Sequence, residues 1–225
     1  MNIALILEMA AGADPNRVAV VCEGQRWSYG ALLSAAHGAA SLIRESGASH
    51  VALLDESSEA SAIALFGAAF AGVPYVPLNY RLADEDLAAL LDRITPALLI
   101  GNVDRVTKLS PDAGNIIFSR ADFVAKAQAN SEGVEQEAAD GDCIAVQLFT
   151  SGTTAAPKAA ILRHANLLGY ILGTVEFGAA TEEDAALVVV PPYHIAGISA
   201  MLSSIYAQRR IVMLPNFSPQ AWPAL

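Results

Sequence analysis

Short apolar runs alternate along the chain with longer segments in which apolar residues recur at helical spacing. The short runs are rich in Val, Ile and Leu and are bounded by Gly, Pro, Asn or Asp, which is typical of buried strands. Strands are predicted at 17–22, 26–28, 50–54, 75–78, 97–100, 115–118, 143–149, 159–162, 185–190 and 211–214. Helices are predicted at the N-terminus and at 29–46, 57–71, 84–94, 121–128, 164–177 and 195–207.

This alternation predicts βαβ units, whose strands lie parallel in a sheet. We therefore expect an α/β fold made of two consecutive, mostly parallel α/β units. The polar and acidic segment 131–142 is the expected linker between them, so that 1–130 forms the first unit and 143–225 begins the second. Ser218 and Pro219 have the form of a helix start close to the end of the chain, so the second unit is expected to be incomplete.

Composition narrows the possible functions. Hydrophobic residues make up 54% of the chain, and this excludes disorder for most of it. The net charge is −10 with only 13 basic residues and no basic run, so a nucleic-acid partner is not expected. The uncharged stretch 60–80 is long enough to span a membrane, but its glycines and prolines favour a buried helix followed by a strand.

The cysteines and the first residues bear on location. Cys22 and Cys143 have neither a zinc nor a redox spacing, and we interpret them as reduced core thiols in a cytoplasmic protein. The apolar start of the chain lacks a basic segment and carries Glu8, so no signal peptide is expected.

The segment 148–158 is the part of the chain that folding rules explain least. It leaves a predicted strand and then combines four hydroxyl side chains with Gly152 and Lys158. Hydroxyls, exposed backbone N–H groups and one cation suit phosphate oxygens. A turn rich in Ser, Thr and Gly for purely local reasons is the alternative. A Walker phosphate loop does not fit, because Pro157 stands at its second glycine and Ala159 at its magnesium-binding hydroxyl.

Motifs inside and outside this segment together indicate a family. The matching positions are Thr150-Ser151-Gly152-Thr153-Thr154, Pro157-Lys158, His164, Asn166 and Leu167. They resemble the signature of the adenylate-forming enzymes, which include acyl- and aryl-CoA synthetases, adenylation domains of peptide synthetases, and luciferases. The segments 27–32, 67–100 and 191–197 resemble further family segments, so the resemblance covers nearly the whole chain. The asparagine at position 79 resembles the CoA ligases, because the peptide-synthetase branch tends to have aspartate at this position.

The resemblance implies an acid–CoA ligase that activates a carboxylic acid with ATP and then transfers the acyl group to CoA. It implies that the ATP phosphates are bound by Thr150, Ser151, Gly152, Thr153, Thr154 and Lys158, with Lys158 stabilising the phosphate charge during catalysis. Tyr193, His194 and Gly197 would lie beside the acyl pocket. A solvated surface lysine is the alternative for Lys158, and a core histidine is the alternative for His194.

The sequence departs from the family pattern in two ways. Ala155 and Ala159 stand where the family has glycine, and a positive φ at either would strain the loop and weaken ATP binding. The family's magnesium-binding acid and C-terminal catalytic lysine should lie beyond Leu225. The chain is therefore expected to be an N-terminal portion, inactive alone and without a metal ligand of its own. A non-catalytic nucleotide- or partner-binding module is the alternative, and exposed apolar surface could favour self-association.

Overall fold

The computed structural model describes residues 1–110, 114–130, 140–150 and 157–214 of the chain. Its helices are α1 Ala4–Ala13, α2 Tyr29–Ser46, α3 Glu59–Ala71, α4 Asp84–Asp92, α5 Val103–Leu109, α6 Arg120–Ala129, α7 His164–Thr174 and α8 Ile195–Tyr206. Its strands are β1 Val18–Cys22, β2 Gln25–Ser28, β3 His50–Leu54, β4 Tyr75–Pro77, β5 Ala97–Gly101, β6 Ile116–Phe118, β7 Ile144–Thr150, β8 Lys158–Arg163, β9 Ala185–Val188 and β10 Arg210–Met213. The helix start expected at Ser218 lies outside the described residues.

All the other predicted elements are present, and one helix was missed. Helix α5 has seven residues and follows Asn102, whose side chain accepts a hydrogen bond from the backbone N–H of Arg105 at 2.9 Å. Two turns are too short to display a helical repeat of apolar positions, and the two valines and one threonine of this helix are typical of strands. Only the capping asparagine signals its start.

The strands form two mostly parallel sheets, as an α/β fold requires. One has the order β6-β5-β3-β4-β7-β8, and its single antiparallel pair is β7 with β8. The other has the order β2-β1-β10-β9, and its single antiparallel pair is β1 with β2. The predicted α/β class with mostly parallel strands is confirmed.

The two sheets do not divide at the predicted linker. Strands β7 and β8 extend the sheet of β3 to β6, and β10 pairs with β1, so each sheet takes strands from both sides of 131–142. Residues 131–139 of that segment lie outside the described residues. The division into 1–130, a linker and 143–225 stays a prediction, and the strand order shows that the two ranges fold together.

Helix α3 forms the centre of the larger core. Eleven of its thirteen residues are buried, and most of them are alanine or glycine, which lets neighbouring helices approach closely. At Gly67 an added Cβ would lie 2.7 Å from the Cβ of Ala39 in α2, so a side chain there would collide with its neighbour. The stretch 60–80 is thus a buried helix followed by strand β4, as predicted. In the described ranges no helix combines the length and the apolar character needed to cross a membrane.

The two cysteines have different environments. Cys22 is buried at the end of β1, as predicted, whereas Cys143 is exposed, so its interpretation as a core thiol was wrong. Both are free cysteines. Burial, reinforced by the neighbouring Glu59 carboxylate, raises the pKa of the Cys22 thiol to about 12. Cys22 is therefore a protonated core residue and not a reactive thiolate.

Candidate functional site

The segment with the phosphate-loop motif joins the two strands of a hairpin. Strands β7 and β8 pair antiparallel, and Thr150 opposite Lys158 is their final pair. The Thr150 hydroxyl donates to the Lys158 carbonyl at 3.4 Å, and both side chains are exposed. Thr150 and Lys158 therefore face each other at the mouth of the hairpin. Ser151, Gly152, Thr153 and Thr154 lie outside the described residues.

The strain considered at Ala159 is not present. Ala159 lies within β8 and pairs with Phe149 in a regular antiparallel register. Among the described residues, only Glu23 and Gln208 have a positive φ without being glycine. An alanine therefore fits this position, and Ala155 lies outside the described residues.

A tight turn before α8 positions the second predicted group. The backbone N–H of His194 donates to the carbonyl of Pro191 at 3.1 Å, and Gly197 donates to the carbonyl of His194 at 3.0 Å. Gly197 is buried, and an added Cβ there would lie 3.0 Å from the Pro191 carbonyl oxygen and 3.2 Å from that of Val190. A larger residue would push the turn outward. The imidazole of His194 is exposed, which rules out the core-histidine interpretation.

Tyr193 connects this turn to the segment after β4. Its ring meets Tyr80 edge to face, with centroids 5.6 Å apart, and lies 4.7 Å from the ring of His194. Edge-to-face contacts are a favoured aromatic geometry and hold the ring in place. Partial burial, with a smaller contribution from Tyr80, raises the pKa of the Tyr193 hydroxyl, which thus stays protonated at neutral pH.

These elements enclose one cavity of about 700 Å³. Its described lining consists of Asn79, Leu82, Asp86, Leu90, Leu148, Phe149, Thr150, Pro157, Ala160, Leu162, Tyr193, His194 and Ile195. The predicted residues Thr150, Tyr193 and His194 are thus brought together. Lys158 follows the lining residue Pro157 directly but is not itself in the lining, and Gly197 lines a separate, much smaller cavity.

The cavity lies where a ligand site is expected in an α/β protein. Asn79 follows β4, Thr150 ends β7, and His194 comes six residues after the end of β9. Side chains from the carboxyl ends of strands in both sheets therefore face a common space, as ligand sites of open α/β sheets do. Apolar walls with a few convergent polar groups are typical of a small-molecule site.

Sequence reasoning missed the wall that α4 contributes. Asp86 and Leu90 of α4 line the cavity together with Leu82, which lies just before the helix, and no sequence motif marked these residues. Arg93, at the end of the same helix, donates from Nη1 to the Pro157 carbonyl at 2.6 Å. No sequence motif indicates the cavity wall at α4 or the bond from Arg93 to Pro157, because both depend on how this helix packs against a hairpin distant in sequence.

The described residues do not form a metal site by themselves. In ranges 1–110, 114–130, 140–150 and 157–214, no group of three or more His, Cys, Asp or Glu side chains is placed to hold an ion. The described residues therefore offer no preformed all-protein metal site, and magnesium is implied only by the resemblance.

Comparison with known proteins identifies the family to which this site belongs. The family model described as "AMP-binding enzyme" matches residues 7–225. An indoleacetate–CoA ligase of Aromatoleum aromaticum is 24% identical over 237 residues, covering 98% of this chain and 46% of the relative. A medium/long-chain-fatty-acid–CoA/3-oxocholest-4-en-26-oate–CoA ligase of Mycobacterium marinum is 27% identical over 263 residues, covering 99% of this chain and 48% of the relative.

The same fold occurs in a solved structure. ATP-bound MatB from Rhodopseudomonas palustris matches with a TM-score of 0.86 and 24% identity, covering 100% of this chain and 48% of that protein. At this identity the likeness concerns the fold. The chain spans about half the length of the curated relatives it matches.

Proposed function

The chain belongs to the family of AMP-binding enzymes, and from this premise we propose that it serves ATP-dependent activation of a carboxylic acid and transfer of the acyl group to CoA. The observation that carries the proposal is the cavity shared by Thr150, Tyr193 and His194. It adjoins the hairpin mouth where Lys158 is exposed, so a phosphate group and an acyl group could be held side by side.

The reaction has two steps. A carboxylate oxygen of the acid attacks the α-phosphorus of ATP, the bond to pyrophosphate breaks, and an acyl-adenylate and pyrophosphate are formed. The sulfur of CoA then bonds to the acyl carbon, the bond from that carbon to AMP breaks, and the thiol proton is released. Negative charge concentrates on phosphate oxygens in the first step, so fixed donors and a cation lower its barrier.

The hairpin supplies these groups. Lys158 stabilises the phosphate charge, and the Thr150 hydroxyl stands opposite it as a donor to a phosphate oxygen. The other residues to which we assign phosphate binding, on the family signature, are Ser151, Gly152, Thr153 and Thr154. A lysine close to several hydroxyl and backbone donors offers charge-assisted hydrogen bonds, which are the strong ones.

The turn before α8 supplies the acid side of the site. His194 offers a ring N–H to the carboxylate, while Tyr193 closes the cavity wall and Gly197 keeps the turn close to Pro191. Leucines 82, 90, 148 and 162 line much of the remainder, which favours an acid with an apolar acyl group. The named relatives act on acids as different as indoleacetate and long-chain fatty acids. Their names therefore do not identify the acid that this chain activates, and an assay with several acids is needed to find it.

ATP and CoA are the proposed co-substrates. Magnesium, when bound with ATP, would neutralise part of the phosphate charge. We infer a cytoplasmic location, because ATP and CoA are used there and because Cys22 and Cys143 are free thiols. Self-association through exposed apolar surface stays a prediction.

The decisive experiment is ATP–pyrophosphate exchange on the 225-residue chain with a panel of aliphatic and aromatic acids, alongside calorimetric titration with ATP. Acid-dependent exchange supports the proposal. ATP binding without exchange for any acid is expected if the chain is inactive alone, and it also fits the nucleotide-binding module. Absence of ATP binding overturns the assignment of the hairpin to phosphates.

A further inference from the structure

We propose that Arg93 is a positioning residue that holds the two stems of the hairpin mouth, Phe149-Thr150 and Pro157-Lys158, in the arrangement that binds ATP. The effect of Arg93 on ATP binding rests on the proposed function. The holding of the stems can be measured without any nucleotide.

Arg93 stands on a fixed base. It directly follows α4, its backbone N–H bonds to the Leu90 carbonyl at 3.2 Å, and its backbone remains in the right-handed helical region. Its neighbours Leu91 and Ile94 are buried, with 1% and 0% of their surfaces exposed, in the smaller core that α4 shares with β4 and β5. The side chain itself is exposed, so it extends from a well-packed backbone toward the hairpin.

One side chain thus reaches both strands at the hairpin mouth. Its Nη1 donates to the Pro157 carbonyl at 2.6 Å, and Cζ lies 4.8 Å from the centroid of the Phe149 ring. Phe149 immediately precedes Thr150, and Pro157 immediately precedes Lys158. Arg93 therefore contacts the residue next to each of the two groups assigned to phosphate.

The mouth has few other restraints among the described residues. The ladder of β7 and β8 ends at the pair Thr150 and Lys158, so the Pro157 carbonyl lies beyond it. The side-chain bond that spans this pair, from the Thr150 hydroxyl to the Lys158 carbonyl, is long at 3.4 Å. A guanidinium bond to the next carbonyl is charge-assisted and stronger, and it extends the restraint by one residue.

The geometry indicates an indirect role for Arg93. One guanidinium nitrogen is engaged by Pro157 and the group lies over Phe149, so the cation is already held by protein atoms. The planar fork of arginine suits such a combination of edge and face contacts better than the ammonium of lysine. Loss of the side chain should loosen the mouth in the absence of ATP, whereas loss of a direct phosphate ligand would not.

The first test is hydrogen–deuterium exchange without nucleotide, on the wild type, Arg93→Ala, Arg93→Lys and Arg81→Ala. Arg81 is the matched control, because it lies over Tyr80 at 5.6 Å in a similar cation–π contact but, among the described residues, makes no hydrogen bond or ring contact with either stem. Exchange at the amides of Phe149, Thr150 and Lys158 should be about threefold or more faster in Arg93→Ala and unchanged in Arg81→Ala. Unchanged exchange in Arg93→Ala overturns the inference.

The second test is ATP binding and steady-state kinetics on the same variants. Arg93→Ala should raise the Kd and the KM for ATP about 5- to 20-fold, the size expected for losing one charge-assisted bond and one exposed cation–π contact. The KM for the acid should change less than twofold, and Arg93→Lys should recover part of the loss. Equal ATP affinity in the wild type and Arg93→Ala overturns the inference alone, whereas a wild type that binds no ATP overturns the proposed function.

Discussion

The backbone N–H of Ile3 donates a hydrogen bond to Nδ1 of His164, 3.4 Å away and 161 positions later in the chain. His164 begins α7 directly after β8, so the bond fixes the N-terminal helix to the base of the hairpin that bears Lys158. The imidazole is only 1% exposed, and its Nε2 has no partner among the described residues. His164, which motif matching associated with the loop, is therefore a structural residue in its neutral form.

This burial predicts a specific dependence of stability on pH. Burial, assisted by the charge of the N-terminal amino group, lowers the pKa of His164 from 6.5 to about 4. A depressed histidine pKa means that the folded state resists protonation, so its stabilising contribution is complete above pH 6.5 and is lost as the pH falls toward 4. Over that window the free energy of unfolding of the wild type should fall on the order of 2–3 kcal/mol more than that of His164→Gln. Urea unfolding at several pH values measures the difference, and parallel profiles would contradict it.

Gly197→Ala should destabilise the protein even though alanine is the better helix former. Its Cβ would press on the carbonyl oxygens of Val190 and Pro191, at 3.2 and 3.0 Å. We expect a loss of about 1–2 kcal/mol in the free energy of unfolding. Gly169→Ala in α7 is the matched control, because an added Cβ there meets nothing within 4 Å. It should gain about 0.5–1 kcal/mol from helix propensity. An equal gain in both variants would show that the turn is not close-packed.

The sequence predicts most of the elements because each depends on local patterns. The buried α3 and β4 could be derived from an uncharged run interrupted by glycine and proline, and α2 from Ser28 and Gly47 at its ends. The pairing of distant strands could not be derived in this way. Strand β10 pairs with β1 across almost the whole chain, and nothing in either short apolar run specifies that partner.

In the candidate site, too, local motifs reveal some residues and tertiary packing determines the others. Thr150 and His194 could be found because they lie in motifs, and the structure brings both to one cavity. Arg93 has no motif, and its contact with Pro157 spans 64 positions. Its role depends on the docking of α4 beside the hairpin, which is a tertiary arrangement that no local pattern records.

Lys158→Ala should weaken ATP binding without affecting the fold. Lys158 is exposed beside the Thr150 hydroxyl, so its removal takes away charge-assisted bonds to phosphate but no core contact. We expect the Kd for ATP to rise about 10- to 100-fold and the melting temperature to stay within about 2 °C. Lys108→Ala, another exposed lysine at the last turn of α5, removes the same charge and should leave the Kd unchanged. Calorimetry decides, and equal losses in both variants would indicate only a general effect of charge.

His194→Ala should raise the KM for the acid and leave the KM for ATP nearly unchanged. The turn is held by backbone bonds of His194 and Gly197, and the imidazole makes no capping bond to α8, so alanine preserves the fold. The imidazole does line the cavity beside Tyr193, where a ring N–H can reach a carboxylate. We expect the KM for the acid to rise about 5- to 20-fold, as for one lost hydrogen bond to a charged group, with the KM for ATP within twofold. A residue that contacts only the acid should change the KM for the acid and not the KM for ATP. A parallel rise in both KM values would therefore contradict the assignment of His194 to the acid.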